Sequence, residues 1–378
     1  MQQRTATAAF GSRLLRSSLP TPLTRLVRRQ CVAPSARAEC IRPRSFATAI
    51  ENTASGLSPS TQNPFAHVGA SVHGSSGRKY IIKQVLQDRQ DRHVYLAEAD
   101  HQKFVLKTLF EPEYSYALSL QHKFSDNPYL RAVRDTIPGE NMFVNEYLSD
   151  HLLNFAWKDI SLVTQKRILR DALRGLASMH AHDIAHLDVK ANNIMVDYHT
   201  TEDEVIVVDR VQLSDLEDST YIPPQQALRG IQVGNHWWRS PEAHVKGAIN
   251  KQTDIFSFAI VSIFLLLRRV IFWMDMPRDA NDPRFAILER QISHFAEWDD
   301  LDDFLEYLGR SHPWRSSFNK MARSFGSENP RRPFAMWKSD LLDADFKDLI
   351  RKMTHFDPRK RITAQQALDH AWFRDIQT

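Results

Sequence analysis

Cysteine is nearly missing from this chain of 378 residues, and both copies, Cys31 and Cys40, fall among the first fifty. A disulfide framework or thiolate metal site is therefore excluded from everything that follows them. Long apolar runs are missing too. The run over 255–267 (IFSFAIVSIFLLL) has thirteen residues, short of the roughly 20 that a bilayer requires, and Arg268 and Arg269 close it. It is predicted to be a core helix, and no membrane span is expected. Acidic residues are scarce at the amino terminus, where the first fifty positions hold nine Arg, no Lys and only Glu39. That stretch carries +8 against +4 for the whole chain, which leaves the remainder at −4. The basic balance thus resides in one segment and implies no nucleic-acid partner. Internal repeats are absent, and the 16 His show no zinc spacing.

The amino-terminal segment is rich in Arg, Ser, Thr and Ala, and Leu14, Leu15, Leu19, Leu23, Leu26 and Val27 can line one helical face. This is the profile of a mitochondrial transit peptide, whereas Arg13, Arg16, Arg25 and Arg28 interrupt any secretory apolar core. Arg44, Ser45 and Phe46 resemble a matrix-processing site, so residues 1–46 are expected to be a leader and the destination the mitochondrial matrix. Residues 47–78 are dominated by Ser, Thr, Gly, Ala and Asn without an apolar period, and are expected to form a disordered linker.

From Tyr80 the texture changes. Alternating or β-branched runs at 80–86, 93–97, 103–109 and 142–147 predict a small sheet. One helix over 113–124 is expected among them, with Tyr116, Leu120 and Phe124 on one face. Beyond Asp150 the pattern is mostly helical, clearest at Ile168, Leu169, Ala172, Leu173, Leu176 and Met179. The organisation expected is α+β in two lobes, a small β-rich one over 79–149 and a larger helical one over 150–378.

Chemistry concentrates just past the junction. His186 to Ile194 reads H-x-D-x-K-x-x-N-I. That spacing places an acceptor for a hydroxyl proton, Asp188, a cation for a phosphoryl oxygen, Lys190, and an amide metal ligand, Asn193, on one short loop. Downstream lie Gly234 to Glu242 (GNHWWRSPE), Thr253 to Phe258 (TDIFSF), and Asp357 to Ala364 (DPRKRITA) followed by His370, Ala371, Trp372 and Phe373.

In this order and at these distances the motifs resemble those of eukaryotic Ser/Thr protein kinases, over about residues 80–374. The resemblance implies a two-lobed protein-kinase-like fold, ATP and Mg²⁺ as cofactors, and a protein substrate. It assigns Asp188 and Lys190 to catalysis, and Asn193 and Asp215 to metal. Lys107, in Phe104-Val105-Leu106-Lys107, is assigned to the nucleotide phosphates. Leu86, Val94, Leu148 and Met195 are assigned to the nucleotide pocket, with a hinge near Glu146 reading adenine. Asp209 competes with Asp215 for the metal role; Asp215 is preferred because Val211 to Ser214 supplies the strand that precedes it, leaving a longer hairpin around 199–203. Glu242 is expected to pair with Arg361, and Asp254 to hold the backbone of the catalytic loop.

Several positions depart from the family pattern. The three glycines expected in the phosphate loop are Gln87, Arg89 and Arg92, which restricts close backbone approach to phosphate. Arg89 or Arg92 can supply charge instead, or the tip is a solvated hairpin. The helix Glu that should pair with Lys107 is missing, since its place falls near Leu118. Leu187 replaces the Arg of H-R-D, Asn235 replaces the Thr of G-T with an amide that can still donate to Asp188, and Glu217 replaces the Gly of D-F-G. The last change removes easy access to positive φ and adds an anion near the metals. An active kinase and a pseudokinase that kept only the fold both remain open at this stage.

Overall fold

The computed structural model describes residues 67–89, 92–273 and 282–376. The transit peptide and its cleavage site, expected over 1–46, lie outside the described residues, as does 47–66.

The amino-terminal half is built on one antiparallel sheet. Its strands are β1 (Ser71–His73), β2 (Lys79–Arg89), β3 (Arg92–Ala99), β4 (Gln102–Thr108), β5 (Asp135–Ile137) and β6 (Met142–Glu146), in the order β1-β2-β3-β4-β6-β5. Alternation places Tyr80, Ile82, Tyr95, Ala97, Phe104, Leu106, Met142 and Val144 on a shared buried face. Strand β1 corrects the expected linker. Ser71 pairs with Ile81 and Val72 with Tyr80, so the fold begins before residue 79. Its signal was too short to read, because Val72 alone of the strand's three residues is buried. Helix α1 (Glu113–Gln121) continues as a 3-10 turn to Phe124, as the periodicity predicted. Ala117 packs with Leu109 and Phe143 of the sheet.

The carboxy-terminal half follows β7 (Asp150–His151) and α2 (Leu152–Phe155). Helix α3 (Leu162–Ala181) opens on Ser161, whose hydroxyl accepts from Thr164 N–H. It delivers the chain to β8 (Ile184–Ala185) and the catalytic loop. Strands β9 (Ile194–Thr200) and β10 (Ile206–Leu213) form the long hairpin expected there. Asp209 is the bulged residue of that hairpin, exposed and bonded to His199 Nδ1 at 2.9 Å. Its carboxylate is thus engaged on the hairpin itself. Strand β11 (Thr220–Tyr221) pairs with β8.

Helices α4 (Pro241–His244) and α5 (Lys251–Leu267) come next. Every residue of α5 from Thr253 to Leu266 is buried, and Arg268 ends the helix in the left-handed region at φ 52°. The thirteen-residue apolar run is therefore the central core helix, wrapped by neighbours on all sides. Among the described residues no helix is long and apolar enough to cross a membrane. Helices α6 (Pro283–Phe295), α9 (Ala344–Met353) and α10 (Ala364–Leu368) share its core, while α7 (Trp298–Leu308) and α8 (Arg315–Arg323) pack with α6 in a second apolar cluster.

Candidate active site

The catalytic loop is held from beneath by one carboxylate. Asp254, 1% exposed on α5, accepts the backbone N–H groups of His186 and Leu187, each at 2.8 Å, and contacts His180 Nε2 at 2.9 Å. A charge-assisted pair of this kind holds the loop firmly, and here it pins Leu187 at φ 67°. His186 Nε2 meets the carbonyl of Ser214 at 3.0 Å, which ties the loop to the segment bearing Asp215. On the loop, Asp188 Oδ2 accepts from Lys190 Nζ at 2.5 Å and from Asn193 Nδ2 at 3.2 Å. Asn193 Nδ2 also donates to the Asp188 carbonyl at 2.9 Å, leaving the amide oxygen as the atom for a cation.

Asp215 stands opposite. Ser214 N–H donates to the Asn193 carbonyl at 2.8 Å, so the two metal candidates are fastened together through adjacent backbone. Asp215 adopts φ 63°. The positive φ that seemed to demand glycine at 217 thus falls on the Asp, and Glu217 sits within a 3-10 turn, Leu216–Asp218, that needs no such freedom. Lys107 reaches from β4 to Asp215, forming an ion pair, and to Glu217 Oε1 at 3.2 Å. The lysine whose helix partner is missing has therefore been given another. Residues of α1 offer only the exposed Glu113, while Leu118 packs in the apolar contact beneath the sheet.

Electrostatics follow this geometry. Burial alone would depress the Lys107 ammonium, but Asp215 and Glu217 raise it above the usual lysine range. Burial would likewise raise Asp215, yet the Lys107 charge holds its carboxylate far below normal. One carboxylate that stays ionised and one amide oxygen suit a hard cation such as Mg²⁺. Glu217 goes the other way: burial pushes its carboxyl up to about 7, Lys107 opposing and Asp215 adding to the rise. Asp218 is raised by burial, then by Asp215 and Asp188.

The Glu217 shift has a measurable consequence. Its folded value of about 7 exceeds the ordinary 4.5, so between those values the fold retains a proton that the unfolded chain has released. Stability from this group is complete below the ordinary value and is lost as pH rises through the folded one. Glu217→Gln fixes the neutral form. Without nucleotide, the variant should melt with wild type near pH 5 and several degrees above it near pH 8. Identical melting curves at pH 8 would mean that Glu217 ionises in the fold at no cost.

Of the other expected pocket residues, Val94 lies opposite both Gln87 and Lys107 in the register, while Leu86 is left unpaired at a bulge of β2 and is exposed. Leu148 is buried, and Met195, half-buried on β9, pairs with Gln212. Glu146 is more engaged than anticipated. Its carboxylate pairs with Arg134, at 3.0 Å, and with Arg210. Its backbone carbonyl accepts from Arg131 Nε at 2.8 Å and Nη2 at 2.5 Å. Arg131 was missed at the sequence level; a cation between Leu130 and Ala132, in a segment otherwise bound for the core, was the available signal. Arg92, one of the three residues in place of glycine, contributes positive potential at Lys107 and Asp218.

The activation segment is closed by packing. Leu187, in place of the expected Arg, joins Ala185, Ile222, Leu228, Val233, Ala243 and Ile249 in an apolar cluster. Gly234 has φ 72°, and a Cβ there would lie 2.9 Å from the Leu187 carbonyl, so glycine is required. Asn235 does not serve Asp188 as expected. Its amide oxygen accepts from Trp237 N–H at 3.0 Å and closes its own turn. Glu242 and Arg361 meet as predicted, both fully buried, at 2.6 and 2.9 Å.

A lysine on the sheet paired with an acid after β10, a loop-borne Asp with its Lys and Asn, and a buried Glu–Arg clasp define a phosphotransferase architecture. The family described as Protein kinase domain matches residues 64–373, and the chain belongs to that family. Among solved structures it is similar to a chain of the yeast RNA Pol II CTD kinase CTDK-1 complex, with 16% identity and a TM-score of 0.62, over 85% of this chain and 97% of that one. At that identity the likeness concerns the fold.

Proposed function

We propose that this protein is a catalytically active Ser/Thr kinase that transfers the γ-phosphoryl of a magnesium-bound nucleoside triphosphate, ATP by family resemblance, to protein hydroxyls. The observation that carries this reading is the joint placement of Asp188, Lys190, Asn193, Asp215 and Lys107, each held by a named partner. Asp188 orients the hydroxyl and accepts its proton, and Lys190 sits within reach of the transferring group. Asn193 and Asp215 would hold Mg²⁺, which when bound neutralises phosphate charge. Catalysis of this kind is mainly positioning and fixed electrostatics. Glu217 supports the active reading over an inert scaffold, since it gives Lys107 a second acid where α1 offers only the exposed Glu113. A Lys two residues after the catalytic Asp is what favours Ser and Thr over Tyr.

The test is transfer of labelled phosphate from ATP, and in parallel from GTP, to a generic Ser/Thr protein substrate with and without Mg²⁺. Magnesium-dependent transfer that disappears in Asp188→Asn supports the proposal. Transfer from neither nucleotide, or equal transfer by the variant, leaves the pseudokinase. We further propose import into the mitochondrial matrix, on the composition of residues 1–46. A chain lacking them should remain in the cytosol when expressed in cells, and unchanged mitochondrial retention would refute the leader.

A further inference from the structure

The family resemblance places the reading of adenine at the hinge near Glu146, and the base's exocyclic amine is a donor that needs a free acceptor there, such as the Glu146 backbone carbonyl. That acceptor is taken. Arg131 follows the bridge between Leu130 and Leu213, with its own N–H bonded to the Leu213 carbonyl at 2.9 Å. From there its side chain delivers Nε and Nη2 to the one oxygen of Glu146, at 2.8 and 2.5 Å. A carbonyl oxygen offers two lone pairs, and both have a partner here.

A guanidinium carries five N–H donors and no acceptor, so three remain after Glu146 is satisfied. The arginine is half-buried. Burial lowers its guanidinium to about 10, with Glu217 and Asp215 opposing the fall. The residue is held in place on three sides: by Leu213 through its backbone, by Asn145, whose side-chain amide donates to the Arg131 carbonyl at 3.4 Å, and by Glu146. The Glu146 carbonyl is thus covered by a group that has donors left and no acceptor.

We propose that Arg131 is a specificity-determining residue that turns the base-reading edge of the hinge from acceptor to donor. The cleft then takes purine nucleotides with a carbonyl at C6, guanine or hypoxanthine, in preference to adenine. Donor faces donor if adenine enters, whereas O6 and N7 of a 6-oxopurine match an arginine fork, the commonest pairing of Arg with a base edge in nucleic-acid recognition. The inference rests on the preceding reading that this cleft binds a magnesium nucleotide, and concerns only which base.

The experiment is equilibrium displacement of fluorescent mant-GTP from the full chain in Mg²⁺ by GTP, ITP and ATP. It is repeated on Arg131→Met and Arg131→Lys after their melting curves have shown them folded. GTP and ITP should compete at about one tenth of the ATP concentration or less, given the discrimination an Arg fork provides. The ITP arm isolates the C6 carbonyl from the 2-amino group. Arg131→Met should erase or invert the preference, and Arg131→Lys, which cannot span both lone pairs, should fall between. ATP binding as well as or better than GTP in wild type overturns the proposal, and that wild-type order decides even where the variants fail to fold. Wild type that binds no purine while Arg131→Met binds ATP makes Arg131 a plug and also overturns it. Absence of mant-GTP and mant-ATP binding from both proteins removes the nucleotide reading itself.

Discussion

Asp188→Asn is expected to lower single-turnover phosphoryl transfer by about 10²- to 10⁴-fold, the usual contribution of a positioned general base, with nucleotide affinity and melting temperature close to wild type. The substitution keeps shape and one acceptor oxygen. It removes the charge that Lys190 and Asn193 now share, and with it the basicity needed for a hydroxyl proton. The partners left behind are not stranded, because Lys190 is half-buried and reaches solvent and Asn193 keeps its bond to the Asp188 carbonyl. A loss confined to the chemical step, measured in a rapid-quench experiment beside nucleotide binding, separates catalysis from folding. If affinity collapses together with rate, the Asp is holding the loop together and the assignment of its role changes.

The catalytic loop was legible because its chemistry is local. Asp188, Lys190 and Asn193 lie within six consecutive residues, and backbone geometry alone brings them into one site. Asp215 was legible for a similar reason, since Val211 to Ser214 reads as a strand in the sequence and the structure carries β10 through to Leu213. The partner of Lys107 was not. Replacing a helix Glu by Glu217, an acid 110 positions beyond Lys107, leaves no periodicity to read, only a substitution that looked like damage in D-F-G. Arg131 escaped for the same cause: a single cation beside Leu130 gives no clue to its target until β6 has been laid against β4 and the hinge carbonyl exposed. Strand β1 escaped because one buried Val72 is too weak a period to distinguish from a linker. Long-range compensation is invisible to spacing, and in this chain the departures from the family pattern are where it occurs.

Arg361→Ala should be the most destabilising single change considered. Arg361 and Glu242 are both fully buried, and removing the cation strands an anion at a cost of about 3 to 5 kcal/mol. Against a total stability of about 5 to 15 kcal/mol, that leaves little reserve. Arg361 also serves the carbonyls of His355, Gln252 and Phe356, at 2.7, 3.1 and 3.2 Å, so three further acceptors lose their donor. Urea denaturation should show the loss directly. Replacing both partners by Met should cost less than Arg361→Ala alone, since no charge is then left unpaired. A double variant as unstable as the two single ones added together would instead make the contacts, and not the stranded charge, the source. The damage should also reach the active site. Thr253 Oγ1 donates to Glu242 at 2.9 Å, and the next residue, Asp254, fixes the amides of His186 and Leu187. Hydrogen exchange at those two amides should therefore accelerate in Arg361→Ala under conditions where the rest of α5 stays protected; exchange that rises uniformly would show that the clasp supports the lobe as a whole without steadying the catalytic loop.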